Sequence, residues 1–146
     1  MPKVSKNTPL VSIFVPTGNR AKDLQKVLAS LAGQVFKNFE VLVVDYKSGQ
    51  DTFKVIDRYS SKINITVIHQ IEKGLSKAAN LALQKAKGKY FIRTDDDVAM
   101  SKGWLKSIVE TFERDKRVGG VTGPTIVPNE NKNNRDVFSL ATKAEP

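Results

Sequence analysis

The chain has 146 residues, 40% hydrophobic and 27% charged, with 24 Lys and Arg against 15 Asp and Glu and a formal net charge of +9. Such a composition suits a single soluble globular domain able to bury a core and excludes disorder throughout. Zero cysteines exclude a disulfide framework, thiolate zinc sites and thiol catalysis, and fit a reducing compartment.

Val11-Ser12-Ile13-Phe14-Val15 is an apolar run ended by Pro16, the pattern of a buried strand that opens into a loop at Thr17-Gly18-Asn19-Arg20. Leu24, Val27, Leu28 and Leu31 then fall at i, i+3, i+4 and i+7, which predicts an amphipathic helix ending near Gly33. The continuous run Val41-Leu42-Val43-Val44 predicts a strand covered on both faces, and it closes at Asp45. Beyond the loop containing Ser48-Gly49-Gln50-Asp51, the segment Phe53 to Tyr59 reads as a helix with Phe53, Ile56 and Tyr59 facing inward. Ile63 to Ile68 reads as a third strand that delivers His69 and Gln70 to its end.

From Leu75 to Lys87, the set Ala78, Ala79, Ala82, Leu83 and Ala86 predicts a helix able to lie close on a sheet, with Gly88 as its C-terminal stop. Tyr90 to Arg93 is a fourth strand and hands the chain to Thr94 and Asp95-Asp96-Asp97. Trp104 then opens a helix carrying Leu105, Ile108, Val109 and Phe112 at the same spacing, and Val118 to Thr122 supplies a last short strand. Past Pro124 the run Pro128 to Arg135 is polar and asparagine-rich, and Val137 to Ala141 is too short to bury much alone. The expected organisation is a tail over 1–9, an α/β unit over 10–123, and a polar loop with a C-terminal stub over 124–146.

Strands and helices alternate throughout. That order implies an α/β domain with a mainly parallel sheet flanked by helices, and a ligand site beyond the carboxyl ends of the strands. Asp45, His69 and the aspartate triplet all sit at such ends. Three adjacent carboxylates repel one another unless a hard cation or several donors offset the repulsion, and Mg²⁺ or Mn²⁺ bridging to a phosphorylated ligand does so. The bland alternative is a solvated turn whose last aspartate caps the following helix. No glycine-rich phosphate loop of the dinucleotide or P-loop spacing is present, so a metal-bridged diphosphate is the physical alternative for holding phosphates.

Four segments in order carry a family resemblance: Val11 to Arg20, Phe39 to Asp45, Gly74-Leu75-Ser76 through Asn80, and Gly88-Lys89-Tyr90 into Asp95-Asp96-Asp97. Over residues 10 to 123 the chain resembles the amino-terminal, nucleotide-sugar-binding half of an inverting family 2 glycosyltransferase with the Rossmann-like GT-A fold, incomplete at its C-terminus. The resemblance implies transfer of a sugar from a nucleotide-diphospho-sugar donor to an acceptor hydroxyl with inversion. It further implies donor-binding roles for Pro16, Thr17, Asn19, Arg20, Asp45, Lys77, Asp95 and Asp96. Asp95 and Asp97 match the outer carboxylates of the Asp-x-Asp motif, which implies a Mn²⁺ or Mg²⁺ cofactor. The acceptor is expected to be lipid-linked or a saccharide, with the protein in the cytoplasm at the inner membrane face and associated with that membrane peripherally.

Departures from the family pattern stand at Gly18, where an aromatic residue is common, and at Tyr46-Lys47, which replaces an acidic residue and a glycine. Ala79 stands where arginine is frequent, and Lys77 is the candidate for a displaced positive charge, although it reads better as a solvent-facing lysine. No catalytic base is identified: Glu130 and Asp136 lie in a polar stretch without a family motif, and His69 reads better as a boundary histidine. A donor-binding or vestigial module without turnover is the alternative reading, and an aspartate-bearing phosphotransfer domain a third. Net charge raises nucleic acid as a partner, but Lys85, Lys87 and Lys89 come with no nucleic-acid-binding motif and read as a solvated helix face. Nothing in the composition names the sugar, and open sheet edges raise an expectation of dimers or aggregation.

Overall fold

The computed structural model describes residues 8–125 and 137–143, with side chains through residue 123. In chain order it contains β1 (Val11–Thr17), α1 (Ala21–Ala32), β2 (Phe39–Asp45), α2 (Gln50–Ser60), β3 (Asn64–His69), α3 (Leu75–Lys85), β4 (Tyr90–Arg93), α4 (Trp104–Arg114), β5 (Gly120–Thr125) and β6 (Val137–Lys143). The strands form one sheet in the order β3-β2-β1-β4-β6-β5. β1 pairs in parallel with β2 and β4, and β2 with β3. β6 runs antiparallel to both β4 and β5.

Alternation along β1 and β2 divides the core between the sheet's two faces. Val11, Ile13, Val15, Val41 and Val43 meet the apolar stripes of α1, α2 and α4 on one face. Phe14, Leu42 and Val44 meet Ala78 and Ala82 of α3 on the other. This split follows the route of the chain. From β1 it steps outward to β2 and β3 with α1 and α2 on one face, then returns with α3 on the opposite face to set β4 on the far side of β1. The carboxyl ends of β1 and β4 are therefore the switch point of the sheet, where connections leave in opposite directions and where open α/β sheets bind their ligands.

Burial rather than capping holds the helices. No side chain among the described residues caps α1, and a missing cap forgoes about 1 kcal/mol. Leu24, Val27, Leu28 and Leu31 are all fully buried, and each such side chain contributes roughly 1.5–3 kcal/mol, so the stripe dominates. α4 lacks a cap of its own but borrows one. The buried Gln34 accepts a hydrogen bond from the Leu105 N–H at 3.0 Å and donates to the Ser30 and Ser101 carbonyls at 3.1 and 2.7 Å.

Several expectations are revised. α2 is longer than predicted and buries Thr52 and Val55 along with Ile56 and Tyr59, while Phe53 is only half-buried. Leu83, placed on the packing face of α3, is 50% exposed. α3 lies on the sheet through the small Ala78 and Ala82, and that narrow contact leaves Leu83 outside it. Gly88 does not end α3, which stops at Lys85 with Ala86 already extended. It instead lies against β1, where an added Cβ would come within 2.5 Å of the Ser12 nitrogen.

The strand expected over Val118 to Thr122 runs as Gly120–Thr125. Val137 to Ala141, read as part of a stub, falls within β6, which is inserted between β4 and β5. The tail over 1–7 and the polar run 126–136 lie outside the described residues. No helix among the described residues is long and apolar enough to cross a membrane.

Candidate functional site

The switch point brings the β1 loop and the aspartate triplet together. Asp96 is buried, 5% exposed. Its Oδ2 accepts a hydrogen bond from Thr17 Oγ1 at 2.9 Å and its Oδ1 one from Arg20 Nη1 at 2.9 Å. Arg20 also donates through Nη2 to Asp23 at 3.0 Å and to Asp97 at 3.2 Å. Burial pushes the Asp96 carboxyl above the usual carboxylate range, although Thr17 and Arg20 pull the other way. The Asp97 hydrogen bond and the Asp96 charge raise the Arg20 guanidinium further, so it stays a cation.

Asp95 and Asp97 differ from Asp96 in kind. Their side chains are 53% and 48% exposed, and Asp95 is paired with Arg93 at 3.3 Å. Two half-exposed carboxylates offer hard oxygen donors, which suits Mg²⁺ or Mn²⁺. Among the described residues no three His, Cys, Asp or Glu side chains converge to hold an ion. The donor set therefore fits a cation that keeps several waters and shares phosphate oxygens, and it does not fit one caged by protein alone.

The second part of the site stands one strand away. Asp45 pairs in register with Thr17 and with His69, and it is buried. Its Oδ2 receives the Ser48 N–H at 3.4 Å and lies 3.7 Å from His69 Nδ1. Oδ1 is buried with no hydrogen-bond partner among the described residues. Buried acceptors without donors are uncommon and costly, and this one is aligned with the other strand ends. Lys47, where the family pattern has glycine, adopts φ +53°, a left-handed conformation that glycine accepts without strain.

The remaining donor-site candidates fall at the edges. Pro16 is half-buried beside Val44 of β2. Asn19, at φ +57°, receives the Gly49 N–H on its Oδ1 at 3.3 Å and donates its own N–H to Ser48 Oγ at 2.7 Å, tying the β1 loop to the β2 loop. Lys77 is held by Glu72 on the exposed start of α3. It joins neither the aspartate loop nor Asp45 by a hydrogen bond or ion pair. His69 is exposed and leans toward Phe53, with ring centroids 5.8 Å apart.

Sequence reasoning did not single out Asp23, the third carboxylate on Arg20, or Ser48, which holds both Asp45 and Asn19. Asp23 sits in the first turn of α1 three residues after Arg20, a spacing that faces the two side chains together. Ser48 carried only a turn signal. Glu130 and Asp136, the acids weighed as bases, lie outside the described residues.

The family model for Glycosyl transferase family 2 matches residues 12–143, and the chain belongs to that family, with the GT-A fold. It is 38% identical over 100 residues to the poly(ribitol-phosphate) beta-N-acetylglucosaminyltransferase TarS of Staphylococcus aureus, an alignment that covers 65% of this chain and 17% of that protein. The crystal structure of S. aureus TarS 1-349 in complex with UDP-GlcNAc superposes with a TM-score of 0.67 at 33% identity, covering 71% of this chain and 31% of that one. The mannosyltransferase PcManGT of Pyrobaculum calidifontis, in complex with GDP-Man and Mn²⁺, superposes with a TM-score of 0.70 at 28% identity, covering 79% of this chain and 35% of that one. The chain thus spans well under half the length of each of these relatives.

Proposed function

We propose that this chain binds the donor for a sugar transferase that moves a sugar from a nucleoside diphosphate to an acceptor hydroxyl with inversion. The observation that carries the reading is Asp45 Oδ1, a buried acceptor at the sheet's carboxyl edge with no hydrogen-bond partner among the described residues. A nucleotide base or ribose would supply the N–H or O–H donor it needs once the Asp45 side chain turns from its buried position toward the strand ends. Complexes of relatives with UDP-GlcNAc and with GDP-Man and Mn²⁺ support this ligand class.

In this reading Thr17 and Pro16 line the nucleotide from β1, Asn19 holds the two loops in register, and Asp45 receives the base or ribose. Asp95 and Asp97 would hold Mg²⁺ or Mn²⁺. Such an ion, when bound, neutralises a diphosphate and stabilises its charge as it leaves. Arg20 holds the aspartate loop against β1, and the net charge of +9 favours a phosphorylated or lipid-linked acceptor at a cytoplasmic membrane face.

Calorimetric titration with uridine, guanosine and thymidine diphosphates and their sugars, first with Mn²⁺ and then with chelator, tests the reading. Metal-dependent binding of one nucleotide is expected, abolished by Asp97→Ala. Unchanged affinity in Asp97→Ala would remove the metal assignment, and a folded sample that binds no nucleotide would overturn the donor site.

A further inference from the structure

The three aspartates do not share one task. We propose that Arg20 is the resting counter-ion of the aspartate loop: it pins Asp96 to β1 and competes with a divalent cation for Asp97. The inference rests on the proposed reading of Asp95 and Asp97 as the cation-binding carboxylates.

Asp96 has both oxygens engaged, one by Thr17 and one by Arg20, each at 2.9 Å, in a nearly solvent-free position. An ion taking Asp96 would have to break two charge-assisted hydrogen bonds and shed its water, so this carboxylate acts as a pin and not as a ligand. Asp97 is placed differently. It is half-exposed, and among the described residues its one hydrogen bond is the 3.2 Å contact to Arg20 Nη2, long for a charge-assisted pair.

The same Nη2 also donates to Asp23 at 3.0 Å. If Asp97 is withdrawn, Arg20 keeps Asp96 through Nη1 and Asp23 through Nη2, so the guanidinium loses one of three partners and none of its position. The arrangement makes Asp97 the contact that yields. While Arg20 touches it, the guanidinium occupies one carboxylate oxygen and repels any incoming cation through its own charge. The loop therefore keeps its shape with no ion bound, and Arg20 sets how readily Asp97 accepts one.

The test is Mn²⁺ binding to the full chain without nucleotide, followed by the electron paramagnetic resonance of free Mn²⁺. Arg20→Met should bind Mn²⁺ roughly tenfold more tightly than the parent chain, as expected when a like charge a few ångström away is removed. Arg20→Gln, which keeps a donor for Asp96 without the charge, should do the same and serves if the methionine variant does not fold. Arg20→Lys, which keeps the charge, should stay near the parent value. A folded neutral variant that binds Mn²⁺ no more tightly than the parent, or not at all, overturns the competition. Adding Asp97→Asn to Arg20→Met should cancel the gain; a gain that survives it places the ion elsewhere and removes the metal assignment of the donor reading instead.

Discussion

Thr17 Oγ1 donates a hydrogen bond to Asp96 Oδ2 at 2.9 Å and so joins the carboxyl end of β1 to the loop after β4 across 79 positions of sequence. Both groups are buried, so neither can turn to water if the other is lost. The bond ties a loop proposed to line a nucleotide to the loop whose exposed carboxylates are proposed to hold a divalent cation.

Thr17→Val keeps the shape of the side chain and removes its donor. It leaves Asp96 Oδ2 buried and unpaired, at a cost of about 1–3 kcal/mol. Urea unfolding should show a lower midpoint with an unchanged slope. A midpoint equal to that of the parent chain would mean that water replaces the hydroxyl and that the two loops are not fastened this way.

Gly88→Ala tests the close approach of the α3–β4 turn to β1. An alanine Cβ would lie 2.5 Å from the Ser12 nitrogen and 2.6 Å from the Val11 carbonyl carbon, both backbone atoms. Around them Ser12 Oγ donates to the buried Glu40 at 2.6 Å, while the Lys87 and Gly88 N–H groups donate into the same pair. The turn has to move, and overpacking of this kind costs typically about 1–3 kcal/mol. Thermal unfolding at the parent temperature would show that the turn shifts freely and that glycine is not required there.

How much of this was legible in sequence depends on whether the signal was local. Val41 to Val44 reads as a strand covered on both faces because every side chain is apolar, and all four are buried. β6 was not legible. Val137–Lys143 follows an asparagine-rich run, and its place between β4 and β5 comes from pairing with β4, far back in the sequence, as well as with β5 just before it. Leu83 obeyed the helical period, but the period does not report how narrow a contact the alanines of α3 make. At the site, acids at strand ends could be read as such, yet no pattern separates the buried Asp96 from its exposed neighbours. That distinction is made by Thr17 and Arg20, which reach it only once β1 and β4 are side by side.

Glu113 gives the fold an acid-sensitive element away from the site. It accepts hydrogen bonds from Lys116, Lys89 and Tyr90, and these hold its carboxyl well below the usual range, at about 2 against an ordinary 4.5. A carboxyl depressed in the folded state contributes stability that is complete above its unfolded value and is lost as pH falls through its folded one. The parent chain should therefore exceed Glu113→Gln in melting temperature near pH 6, with the gap closing between about pH 5 and pH 2. A gap independent of pH over that range would show that the interaction does not depend on the carboxylate charge.

Asp45 presents the opposite case, a buried side chain with one oxygen left unsatisfied. Its Oδ1 is buried with no donor among the described residues, while Ser48 N–H and His69 both lie on the Oδ2 side. Asp45→Asn can keep its oxygen toward Ser48 and place its amide where Oδ1 lies, so its stability should stay within about 1 kcal/mol of the parent, since no satisfied bond is lost. Nucleotide affinity should respond in another way. A base or ribose donor would meet an N–H in place of a carboxylate oxygen, and losing a hydrogen bond to a charged group costs about 1.5–3 kcal/mol, roughly 10- to 100-fold in affinity. Calorimetry on the pair of proteins, with melting curves beside it, separates the outcomes. Weaker binding at unchanged stability assigns Asp45 to the ligand, whereas lost stability at unchanged binding would make it a turn residue and leave the base to be held elsewhere.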